Sequence, residues 1–105
     1  MIDGKYSIMM QTPMGPVRGM LILKTDGNRL SGVLEALGGR HAFSGGTAQG
    51  EACAFSSEFQ TPLGRLQVSV KGTIHDDVFR ATARTQMGVI TAMGRRVPPG
   101  PQRKA

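Results

Sequence analysis

Gln11-Thr12-Pro13-Met14-Gly15 returns almost letter for letter as Gln60-Thr61-Pro62-Leu63-Gly64. A chain that repeats itself in this way is constrained to fold as one supersecondary unit used more than once. Ala36-Leu37-Gly38-Gly39 and Gln86-Met87-Gly88 are weaker echoes, so an apolar-glycine mark falls about every 25 residues. Each mark lies between two runs of strand-forming residues. The pattern predicts four β-hairpins in series.

The turns have a mechanism. Proline at the second place of Thr-Pro-Met-Gly presets φ, and the glycine accepts the positive φ that closes a short hairpin loop. Asp26-Gly27 is a strong hairpin signal, and His75-Asp76-Asp77 reads as a polar turn. Between the turns the residues alternate with a period of two. Tyr6, Ile8 and Met10 alternate with Lys5, Ser7 and Met9, while Leu66, Val68, Val70, Gly72 and Ile74 alternate with Arg65, Gln67, Ser69, Lys71 and Thr73.

Further strands are expected over 17–24, 29–35, 40–44, 51–60, 78–86 and 89–96. Cys53, Phe55, Ser57 and Phe59 share one face of the fifth strand. Gly45-Gly46-Thr47-Ala48-Gln49-Gly50 is expected to be the loosest connection, splitting the chain into two halves of four strands. The best helical window, 27–37, is broken by Gly32. The fold class is therefore all-β: an eight-stranded antiparallel up-and-down barrel of four sequential hairpins, with a two-sheet β-sandwich as the alternative. Closure favours the barrel because it removes edge strands.

One barrel domain over residues 1–96 accounts for the length, followed by a flexible basic tail over 97–105 whose Pro98-Pro99-Gly100-Pro101 cannot join a ladder. A single cysteine excludes an internal disulfide. No charged stub and apolar run opens the chain, and no apolar stretch approaches the length of a membrane helix. These features lead to an expectation of a cytoplasmic protein with no membrane partner. The net charge is +6, but Arg95, Arg96, Arg103 and Lys104 lie in the last eleven residues. Residues 1–94 thus hold nine bases against seven acids.

Two resemblances follow from these residues. Gly4-Lys5-Tyr6 stands where calycin-type barrels, the lipocalin and fatty-acid-binding families, carry Gly-x-Trp on the first strand, and Arg96 stands where they keep a basic residue at the end of the last. The resemblance implies that Arg96 packs over the ring at position 6, here tyrosine rather than tryptophan. The repeated Thr-Pro-Met-Gly pattern, together with Thr25-Asp26-Gly27, Leu30-Ser31-Gly32, Phe43-Ser44-Gly45-Gly46 and Lys71-Gly72-Thr73, is similar to uncharacterised small bacterial proteins and to C-terminal extensions of old-yellow-enzyme-type oxidoreductases. That likeness spans most of residues 3–96 and brings no catalytic residue.

Catalytic and metal chemistry find little footing. His41, His75, Cys53, Asp76 and Asp77 lack the close spacing of a zinc site, so no metal is expected. Cys53, flanked by two alanines, reads as a small core group rather than a nucleophile. Gly45-Gly46 precedes a strand and not a helix, which excludes a phosphate-cradling loop. No enzyme activity and no cofactor are expected.

An eight-stranded barrel is just wide enough to be filled by side chains or to hold one small ligand. Small inward positions (Gly19, Gly32, Gly72, Ala81, Ala83, Gly94) would leave room for a cavity, which Met10, Met20 and Met93 would line. Tyr6, Arg84, Arg96 and His41 are the candidate polar anchors. Phe43, Phe55, Phe59 and Phe79 could instead fill those gaps. The expected function is binding of a small apolar or weakly anionic molecule. The alternatives are an accessory subunit of an oxidoreductase or other larger enzyme, and a weak non-specific nucleic-acid binder through the basic C-terminus. Nucleic acid ranks low because stacking aromatics are scarce. Outward apolar residues Met9, Met20, Ile22, Val33 and Val89 suggest a homodimer or a docking face.

Overall fold

The computed structural model describes residues 2–98 apart from 14, 37, 62, 63 and 87, with the backbone alone at 59–61. Eight strands follow one another: β1 (Gly4–Thr12), β2 (Gly15–Asp26), β3 (Arg29–Ala36), β4 (Gly39–Gln49), β5 (Ala52–Thr61), β6 (Gly64–His75), β7 (Val78–Thr85) and β8 (Gly88–Arg96). Each pairs antiparallel with the next, and β8 pairs with β1, closing the barrel. The closed up-and-down arrangement inferred from the hairpin pattern is the observed one.

The repeat runs deeper than its most legible stretch. Adding 49, the offset from Gln11 to Gln60, carries the limits of β2 and β3 onto those of β6 and β7, and the start of β4 onto the start of β8. The barrel is two four-stranded units of nearly the same design. All four apolar-glycine marks consequently fall at one end, here called the mouth. Turns 26–29, 49–52 and 75–78 fall at the other, the base. Gly15, Gly38, Gly64 and Gly88 at the mouth all hold positive φ, between 77° and 120°. Thr12 and Thr85 each donate a hydroxyl hydrogen bond to the carbonyl of the glycine three residues on, at 2.6 and 2.9 Å.

The fourth strand corrects an expectation. Residues 45–49 continue β4 rather than forming a loose connection, because a bulge places Ser44 and Gly45 opposite Ser31 alone. Gly45, at φ 77°, supplies the left-handed residue such a bulge uses. The extra residue shifts the alternation by one, so Phe43, Gly46 and Ala48 all face inward. A strict two-residue period cannot follow that shift. Beyond the bulge β4 meets β5 over three register pairs only, Thr47↔Ala54, Ala48↔Cys53 and Gln49↔Ala52.

The buried core runs from Ile2 and Ile74 near the base to Ala36 and Ala83 near the mouth. Tyr6, Phe79, Leu23 and Leu30 are the most deeply buried large side chains. Tyr6 and Phe79 pack as a tilted pair with ring centroids 5.9 Å apart, while Phe43 and Phe55 stack at 3.8 Å. The small inward residues leave little void there. Phe43 covers Gly32, Phe55 covers Gly46 and Ile8 covers Gly94, each so close that a Cβ would collide. Of the rings expected to fill the barrel, Phe59 lies outside the described side chains. The expected tail also lies outside the described residues from 99 onward.

Candidate functional site

The seven residues expected around a ligand are distributed over three places. Tyr6 and Arg96 meet at the base. The Arg96 guanidinium carbon stands 5.0 Å from the Tyr6 ring centroid, and its Nε donates to Asp77 Oδ1 at 2.9 Å. A second guanidinium nitrogen donates to the Asp3 carbonyl, and the Tyr6 hydroxyl donates to the Ile2 carbonyl at 2.7 Å. The Asp3 carboxylate is held by the Thr25 hydroxyl and, at 3.2 Å, by its backbone N–H. The Thr25 hydrogen bond keeps the Asp3 carboxyl below the usual carboxylate range. Burial pushes the Tyr6 phenol up, against the opposing pull of the Arg96 charge. Tyr6 and Ile2 are buried beneath this network, so the group closes the end of the barrel.

Met20, Arg84 and Met93 do not line the interior. Their sequence neighbours Leu21 and Ala83 are buried, and Ala92 faces the core, so strand alternation turns all three outward. Met93 is 54% exposed. Met20 is half-buried on the outer face opposite Ser7 and Glu35, and Arg84 is exposed opposite Ser69 and Val89. Of the outward apolar group, Ile22 and Val33 are cross-strand neighbours, whereas Val89 stands apart on β8.

Met10 and His41 face the mouth. The Met10 methyl reaches over Gly19, and His41 Nε2 lies 3.3 Å from the Ala36 carbonyl oxygen. Around them is a set that residue-by-residue reading misses: Val17, His41, Leu66 and Ile90. Each is the second residue after the glycine that opens its strand, and each is half-buried facing inward. The four hairpins thus contribute one inward residue apiece to a ring at the mouth, three apolar and one imidazole. The 25-residue period carried that signal in the sequence, at glycine plus two. Below the ring the lining is Met10, Ala81 and Ala92, packed on the buried core.

The remaining candidate chemistry is quiet. Burial raises the Cys53 thiol above its ordinary pKa, which keeps it protonated and unreactive. His75 lies exposed at a base turn between Glu51, at 3.0 Å, and Asp76, at 3.3 Å. The hydrogen bond to Glu51 raises its pKa. Among the described residues, no three His, Cys, Asp or Glu side chains gather as a metal site.

No family model matches the chain, and no curated protein matches it. Among solved structures, a redesigned β-barrel superposes with a TM-score of 0.73 over 91% of both chains at 16% identity. At that identity the likeness shows the fold alone.

Proposed function

We propose that the protein is a non-enzymatic barrel that binds one small apolar or weakly anionic molecule at its mouth. The observation that carries this reading is the ring of Val17, His41, Leu66 and Ile90, half-buried above a filled core. Inward apolar side chains left partly wet are the kind of lining a small-ligand site uses, and a single polar group among them fixes orientation. His41 takes that role, giving the site its preference for an anionic or hydrogen-bonding head group. The sealed base supports a calycin-type reading, with Tyr6 and Arg96 in the places of that family's ring and basic residue.

The probe for this reading is 1-anilinonaphthalene-8-sulfonate, an apolar anion. The expected result is saturable binding to the native protein, weakened by His41→Ala and abolished by Leu66→Trp, which fills the mouth. Absent binding, or binding indifferent to Leu66→Trp, overturns the proposal.

A further inference from the structure

Counted along the chain, the eleven bases and seven acids of residues 1–96 are interspersed, yet the fold separates them. The outward positions of β6, β7, β8 and β1 carry Arg65, Lys71, Arg80, Arg84, Arg95 and Lys5 and no carboxylate. The acids lie elsewhere, and most are engaged. Glu35 pairs with Arg40, Glu58 with Arg65, Glu51 and Asp76 with His75, and Asp77 with Arg96. Among the described residues, Lys71, Arg80, Arg84 and Arg95 have no carboxylate within ion-pair distance.

Register shows how this face is built. Lys71, Thr82 and Thr91 stand in one cross-strand row, and Thr73, Arg80 and Met93 in the next. These six line a shallow outer groove of about 450 Å³, floored by Gly72, Ala81 and Ala92. Arg84 continues the basic line on β7 about 13 Å beyond Arg80, opposite Ser69. Cations interleaved with hydroxyls are the groups that grip phosphodiesters, where Lys and Arg neutralise charge and Ser and Thr donate hydrogen bonds.

We propose that the outer face of β6–β8 is a docking surface for single-stranded nucleic acid, held through its phosphate backbone without sequence preference. Charge complementarity selects the occupant. An acid-free strip of four unpaired cations with threonine hydroxyls fits a run of phosphates, and without exposed aromatic rings on these strands the grip is electrostatic, weak and strongly salt-dependent. Only Val89 and Met93 expose large apolar groups there, too few to anchor the face in a lipid surface. This inference is independent of the mouth.

The test is fluorescence anisotropy of a labelled oligothymidylate with the full-length protein over a salt series. Four phosphate contacts give a slope of log affinity on log salt of about −2.8, or about a 50-fold loss between 50 and 200 mM. The double variant Arg80→Gln/Arg84→Gln is expected to halve that slope to about −1.4. Arg40→Gln, on the opposite side and paired with Glu35, is expected to leave it unchanged. Both sites are exposed, and coincident thermal transitions verify that the variants fold. Three results overturn the proposal: no binding at low salt, binding that survives the double variant but is lost when residues 99–105 are removed, or binding to phosphatidylserine vesicles in place of the oligonucleotide.

Discussion

Arg96 lies across the ring of Tyr6 while its guanidinium reaches both Asp77 and the Asp3 carbonyl, so one side chain joins the last strand to the first and to a base turn. Asp77 is exposed, so its ion pair contributes little by itself. The ring contact and the carbonyl hydrogen bond contribute more. Arg96→Met keeps the aliphatic stem and loses all three. It is expected to cost about 2 kcal/mol, read as a lower urea midpoint with an unchanged m-value. Tyr6→Phe leaves the buried Ile2 carbonyl without its donor and costs about 1–2 kcal/mol.

Glycine at 94 is dictated by contact rather than by φ. A Cβ there would strike the Ser7 carbonyl oxygen and the Ile8 backbone, neither of which is a flexible tip. Gly94→Ala is expected to destabilise by about 3 kcal/mol or to prevent folding. Gly39, where a Cβ meets only the His41 ring at 3.4 Å, provides the contrast. Gly39→Ala is expected to be neutral or to stabilise by about 0.5 kcal/mol in the same denaturation assay.

The seam between β4 and β5 rests on three register pairs and the stacked rings of Phe43 and Phe55. Phe55→Ala removes that stack and uncovers Gly46, with an expected cost of about 3–5 kcal/mol. Amide hydrogen exchange in Thr47–Gln49 and Ala52–Ala54 should accelerate more than in β6 and β7. Equal acceleration across the barrel would contradict a local role for the stack.

Two buried acids set the alkaline limit. Cys53 and Tyr6 both have pKa values raised by burial in the fold, so the native state holds their protons more tightly than the unfolded chain does. The stability they contribute is fully present below their ordinary values of 9.0 and 10.0 and is lost as pH rises through the folded ones. Thermal midpoints are expected to fall above about pH 9. Iodoacetamide should spare Cys53 in the native protein at pH 8 and label it fully in guanidinium.

Most of the architecture could be read from the letters because the turns announce themselves: Thr-Pro-x-Gly, Asp26-Gly27 and the alternation from Leu66 to Ile74 set strand number, order and inward face. The Gly45 bulge was hidden because an added residue inverts the period on which that reading depends. Alternation also decides Met20, Arg84 and Met93, whose apolar or cationic character suggested a lining while their parity sent them outward. The basic face was invisible to counting, since Lys71, Arg80 and Arg95 become neighbours only when β6, β7 and β8 are paired. At the mouth, His41 was found singly, whereas its equivalence to Val17, Leu66 and Ile90 required aligning the four hairpins.

The N–H of Val97 bonds to the Lys5 carbonyl at 2.7 Å, so the polypeptide enters and leaves the barrel side by side at its sealed base. A protein fused at either terminus would hold the barrel like a cup by its foot, with the opposite opening pointing away from the attachment. The same adjacency lets a short peptide bridge the two ends, so that new termini cut at the 49–52 turn would yield a permuted barrel beginning with its second half.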